Sequence, residues 1–219
     1  MYNLHSHSLL SDGCLLPSEL AMRYQAQGYK ILGITDHADY SNIDSIIQAI
    51  SEFTRHWPLD SQICVIPGVE LTHLPPVQFK PLAEYARKKG AKIIVAHGES
   101  PVEPVVKGTN RMALLSDIDI LAHPGNINDE DVVLAKERGV FLEITSRPGH
   151  CRTNNLVVRK ALKFGANLIF STDSHRPEDI INFENLLYIG KKAGLNKKEI
   201  VKINQNVDFF LKERGMYNV

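Results

Sequence analysis

Short, almost wholly apolar runs alternate with amphipathic stretches along the whole sequence, and that alternation limits the fold more than any other feature. The apolar runs fall at residues 2–6, 30–35, 63–66, 92–96, 118–122, 140–145 and 168–171. Between them lie helical patterns: one opened by Pro17 and closed near Gly28, and one with Ile43, Ile46, Ile47, Ile50 and Phe53 at helical spacing. Further helices are predicted over 78–89, 103–115, 129–138 and 154–164, three of them closed by Gly90, Gly139 and Gly165. The C-terminal stretch is also helical, with Pro177 at a first helical position and Asn196 with Glu199 as a capping box. Strands apolar on both faces are those that crossover helices cover from both sides, so the sheet is predicted to be parallel.

An open doubly wound sheet would show the same alternation. The polar residues that follow the apolar runs decide between the two. His5 and His7 stand two apart, so on a strand both point the same way. His37, Glu70, His97 and His123 follow the next four runs, and Asp173 with His175 repeats the spacing of two after the last. Such residues end nearly every strand instead of gathering at one crevice. In a closed parallel barrel those strand ends form a single ring, which is where barrels place chemistry.

With Asp12 from the turn Ser11-Asp12-Gly13, the convergent set is His5, His7, Asp12, His37, Glu70, His97, His123, Asp173 and His175. Buried imidazoles need partners, and separate structural reasons for six strand-end histidines are a poor explanation. Imidazole with carboxylate is a donor set for Zn, Mn or Fe. The set exceeds what one ion can use, so two or three clustered ions are expected, bridged by Glu70 or Asp173. Three carboxylates do not neutralise two or three divalent ions, so the cluster favours an anionic substrate. The other three histidines, His56, His73 and His150, end no strand and are expected to be structural or solvent-exposed.

Composition narrows the partners. Twenty-five basic residues balance twenty-five acidic ones, which argues against a nucleic-acid or membrane surface as the main partner. Cys14, Cys64 and Cys151 are scattered, as suits a reducing cytoplasm, and no apolar run is long enough for a membrane span. A soluble cytoplasmic protein with one domain over residues 1–219 is expected. The oligomeric state is not encoded in any visible feature.

His5-Ser6-His7 with Ser11-Asp12-Gly13, then Ile34-Thr35-Asp36-His37, Gly68-Val69-Glu70, His97, His123-Pro124 and Ser171-Thr172-Asp173-Ser174-His175 resemble the motifs of the PHP (polymerase and histidinol phosphatase) family. The resemblance runs in order from residue 3 to residue 177. It implies an α/β fold, a distorted (β/α)7 TIM-like barrel with its metal site at the C-terminal ends of the strands, and hydrolysis of phosphoesters. By the same resemblance the nine residues above are metal ligands.

General chemistry of such a site makes Asp173 and His175 the candidates for moving a proton. Asp36 is a candidate to orient His37, or a plain turn residue. Arg147 and Arg152, in the loop after the sixth strand, and Arg176, next to His175, are the candidate phosphate-binding residues, because a guanidinium pairs two oxygens at once. Lys107 is a further one. Short loops predict a shallow bowl, and hence a small phosphomonoester as substrate. Two other classes remain: a nuclease or nucleotide phosphodiesterase, and an amidohydrolase that splits C–N bonds on similar metals.

Overall fold

The computed structural model describes residues 1–216. Its strands are β1 (Tyr2–Asn3), β2 (Ile31–Ile34), β3 (His37–Ala38), β4 (Cys64–Leu71), β5 (Ile93–His97), β6 (Ile120–Ala122), β7 (Phe141–Thr145) and β8 (Leu168–Ser171). The helices are α1 (Pro17–Ala26), α2 (Ile43–Arg55), α3 (Phe79–Lys89), α4 (Thr109–Leu114), α5 (Asp129–Arg138), α6 (Asn154–Phe164), α7 (Phe183–Lys192) and α8 (Lys197–Glu213). Every strand pairing is parallel, and the order is β1-β2-β4-β5-β6-β7-β8, with the two-residue β3 paired to β4 just beyond the end of β2. A bridge between Ser6 and Ser174 brings the two outer strands together. The result is a nearly closed seven-stranded barrel wrapped in helices, as the alternation predicts.

Each strand buries both faces. Ile93 and Val95 point into the barrel with Leu4, Ile66, Ile120, Phe141 and Ile169, while Ile94 and Ala96 point outward against the helices. This period of two, apolar on both sides, is why the strands read as continuous apolar runs. Val207 and Leu211 of α8 join the inner cluster and plug the barrel at the end where the strands start. Ile50 of α2 is wholly buried among Leu20, Tyr24, Leu32 and Ile34. Among the described residues no helix is long and apolar enough to cross a membrane.

Two elements differ from expectation. β4 does not stop at Ile66 but runs on through Pro67 and Gly68 to Leu71. Pro67 needs only its carbonyl, which accepts the Lys92 N–H at 2.8 Å, and a Cβ on Gly68 would stand 2.6 Å from the Ile93 carbonyl oxygen. The extension carries Glu70 into the barrel mouth on a rigid strand. Conversely, the helix expected over 103–115 forms only as α4, after Gly108 at φ 93°. Pro101 and Pro104 each disfavour helical backbone at the residue before them, so 98–108 becomes an irregular loop at the rim.

Candidate metal centre

The nine predicted side chains converge at the C-terminal mouth of the barrel, and Glu70 is their hub. Its Oε2 lies 2.7 Å from His37 Nδ1, 3.4 Å from His5 Nε2 and 3.5 Å from His7 Nε2. Its Oε1 lies 3.5 Å from His97 Nδ1 and 3.8 Å from His123 Nε2. Asp173 is the second hub, with Oδ1 3.2 Å from His7 Nε2 and 3.5 Å from His5 Nε2, and Oδ2 3.7 Å from His123 Nε2. Asp12 Oδ1 completes a third group, 3.1 Å from His175 Nε2 and 3.5 Å from His37 Nε2.

Local backbone explains this convergence. His5 and His7 point together as a period of two requires, with Nε2 atoms 3.1 Å apart. His123 (φ 29°) and Asp173 (φ 50°) adopt left-handed backbone, which costs a non-glycine residue about 1 kcal/mol or more. At His123 that turn brings the ring into the bowl directly after the inward-facing Ala122, whereas Asp173 faces the bowl between Thr172 and Ser174, whose hydroxyls both meet the Tyr24 hydroxyl outside it.

Metal ions fit this arrangement on two counts. Buried polar atoms almost always find a partner, yet His7 Nδ1, Glu70 Oε1, both His97 nitrogens and His123 Nδ1 are buried with no hydrogen bond. The donor sets His7–Asp12–His37–His175, His5–His7–Glu70, His5–His123–Asp173 and Glu70–His97–His123 are each clustered within 4.8 Å, with the imidazole and carboxylate chemistry of divalent transition metals. Burial and the neighbouring imidazoles hold His7 and His123 well below the usual range, hence as neutral donors. Burial opposes charge on His37 too, but Glu70 and Asp12 lift it to about 9. Burial, reinforced by the Glu70 charge, raises Asp173 to about 6.

Around the cluster stands a supporting shell that the sequence reading missed in part. Glu143, fully buried in the middle of β7, faces His5 Nδ1 at 2.6 Å through Oε1 and accepts the His123 N–H at 2.8 Å through Oε2. Its signal was present as a lone charge inside an apolar run. Asp36 does not orient His37: it accepts the Ser8 N–H and hydroxyl and the Ser11 hydroxyl, each at 2.7 Å, and so pins the loop that carries Asp12. His37 Nδ1 instead meets the Thr72 hydroxyl at 2.6 Å.

Of the arginines, the structure brings Arg147 to the bowl. Its Nη1 donates to the Asp173 carbonyl at 2.9 Å and lies against His175 Nδ1, and its Nε is 3.5 Å from Asp173 Oδ2. Arg152 is exposed and lines a separate cleft with Ser146, Asn155, Tyr188 and Lys192. Arg176 and Lys107 are exposed, without a contact to the cluster. His56 is exposed and pairs with Glu52 at 2.9 Å. The other two histidines set aside above do reach the site: His150 is buried 4.3 Å from the His123 ring, centroid to centroid, and His73, though exposed, lies 4.9 Å from the His97 ring.

A parallel barrel whose C-terminal mouth gathers imidazoles and carboxylates, several of their buried atoms without a hydrogen bond, is the arrangement of a metal-dependent hydrolase of the TIM-like class. The PHP domain matches residues 3–138, and the chain belongs to that family, which makes it a metal-dependent phosphoesterase. An uncharacterized protein of Methanocaldococcus jannaschii is 44% identical over 204 residues, which cover 91% of this chain and 92% of that one. The DNA polymerase/3'-5' exonuclease PolX of Bacillus subtilis is 23% identical over 96% of this chain and 40% of its own length. A probable phosphatase of Clostridium novyi is 26% identical over 97% of this chain and 95% of its own length.

Proposed function

We propose that the chain is a phosphomonoesterase acting on a small phosphorylated metabolite, with two or three divalent ions, Zn, Mn or Fe, held by the nine convergent residues. The observation that carries this reading is the placing of Arg147. Its guanidinium is fixed against Asp173 and His175 at the edge of the cluster, where it can pair with the terminal oxygens of a phosphate dianion. The phosphatase of matching length supports the same reading.

When bound, the ions supply Lewis acidity: they activate water as the nucleophile and offset charge on the phosphoryl oxygens. The chain's own residues do the rest. Glu70 belongs to two of the donor sets, and Asp173 reaches His7 and His175 as well as His5 and His123, so these two carboxylates would hold ions in common. Glu143 holds His5 so that Nε2 faces the centre. Arg147 binds and orients the phosphate. Asp173, next to that guanidinium, would pass a proton to the leaving oxygen from a carboxylate oxygen not given to an ion, and His175, its Nδ1 tied to the Asp173 carbonyl at 3.0 Å, would present Nε2 either as a ligand or, when not ligating, as the second proton carrier. Arg152 and Arg176 remain outer phosphate-binding candidates, suited only to a substrate that extends past the bowl.

One observation favours a second reading, a nucleotide phosphodiesterase or exonuclease. The Ser146 cleft holds Arg152, Lys192 and Tyr188, two cations and an exposed aromatic ring, and it starts one residue from Arg147. Such a combination can follow a single strand. The test is a panel of phosphorylated metabolites that includes histidinol phosphate, one phosphodiester and one short oligonucleotide, run with Mn and with Zn. A monoester is expected to be turned over fastest; preference for the diester or the oligonucleotide overturns the phosphomonoesterase reading.

A further inference from the structure

The two nitrogens of His97 face the core cluster on one side and the rim loop on the other. The ring is 1% exposed, and neither nitrogen has a hydrogen-bond partner. Nδ1 faces Glu70 Oε1 at 3.5 Å, inside the core cluster; Nε2 faces Glu103 Oε2 at 3.8 Å, on the rim loop 98–108. His73 closes the group from the end of β4, its ring 4.9 Å from that of His97, and donor atoms of His73, His97 and Glu103 lie within 4.8 Å of one another. The other Glu103 oxygen is 3.4 Å from His150 Nε2, and His150 Nδ1 is held by the Ser100 hydroxyl at 2.9 Å. Glu103 is thus aimed by a buried partner. His73 and Glu103 also line the cleft that opens onto Asp12 and His37, at the entrance to the bowl.

We propose that His73, His97 and Glu103 form an additional, exchangeable zinc site at the rim, separate from the core ions, and that filling it obstructs the entry of substrate. The inference rests on the metal centre described above. Two imidazoles and one carboxylate are the donors of a zinc site that keeps a fourth position open. On the same donors manganese binds more weakly than zinc by the Irving–Williams order, and magnesium, which favours oxygen, suits two imidazoles poorly. His97 can serve both ions at once only as an imidazolate, its ring N–H proton passing to solvent as zinc binds, and the other two donors stand outside the barrel strands, so zinc binds here more weakly than in the core. Zinc beyond the core requirement therefore inhibits, whereas excess manganese does not.

The test is equilibrium dialysis of the metal-loaded protein against rising zinc, with bound metal counted by elemental analysis for the parent, His73→Ala and Glu103→Gln. The parent is expected to take up one further zinc per chain, and each variant to lose it or to bind it about 10-fold more weakly. Excess zinc should inhibit the parent at concentrations that both variants tolerate, with basal turnover unchanged in both. Equal zinc uptake by parent and variants overturns the rim site. A parent that holds its core ions and takes up no more overturns the rim site alone; one ion or none in the parent overturns the metal centre and the rim site with it.

Discussion

Replacing Glu143 with glutamine separates the charge of that side chain from its shape. Oε2 accepts the His123 N–H at 2.8 Å, and Oε1 faces His5 Nδ1 at 2.6 Å, with all three groups buried. A carboxylate accepts at both oxygens, so the His5 proton stays on Nδ1 and Nε2 offers its lone pair to the centre. Glutamine keeps one acceptor, and the His123 N–H claims it. The amide nitrogen must then face His5 Nδ1. Either two N–H groups oppose each other, or the His5 proton moves to Nε2 and blocks the ligand position. Both outcomes forfeit one charge-assisted hydrogen bond, about 1.5–3 kcal/mol, which is roughly a 10- to 100-fold loss in metal affinity. Competition with a chromophoric chelator at fixed pH measures that loss, and a thermal melt checks that the variant is folded. A folded variant with the parent's affinity would refute the assignment of the His5 tautomer.

The metal count tests the centre directly: reconstituted protein should hold at least two transition-metal ions per chain, and chelation should abolish phosphoesterase activity until metal is restored. His5→Ala, Glu70→Ala and His175→Ala should each lose metal and turnover together; full turnover in His175→Ala would place the chemistry elsewhere. Arg147→Ala should lower kcat/KM at least about tenfold, near 1.4 kcal/mol, on the best monoester, and kinetics indistinguishable from the parent would remove it from substrate binding. Ile50→Asp puts a carboxylate among Leu20, Tyr24 and Ile34 and should cost roughly 4 kcal/mol or more, a large share of the stability of an ordinary domain. A melting temperature equal to the parent's would contradict the packing of α2.

The convergence of the strand-end residues was legible because an apolar run followed by histidine or carboxylate is a strong contrast, and the barrel alone makes many such contrasts meet. Residues on irregular backbone were not. His150 lies in a short 3-10 turn, and His73 and Glu103 on loops, where no periodicity says which way a side chain points. Arg147 and Arg152 sit in one loop and read alike; only the turn over His150–Thr153 sends the second away from the bowl. Glu143 failed for another reason. Its charge stands inside a run that otherwise reads as a buried strand, so periodicity alone gives it no partner. The helix expected over 103–115 is shorter because the backbone limits of Pro104 and Gly108 decide where α4 begins.

The junction of the outer strands has a consequence for how the protein is made. Asn3 and Thr172 are joined by a hydrogen bond although they lie 169 residues apart, and the same junction carries His5 and His7 on one side and Asp173 and His175 on the other. Closing a flexible loop of that length costs roughly 4.5 kcal/mol in chain entropy. On a ribosome, the first ligands emerge long before the last, so no partial chain can assemble the centre. Ions that bridge His5, His7 and Asp173 would then act as a late fastening between the two ends of the polypeptide, and metal supply during synthesis becomes a determinant of how much chain reaches the closed state.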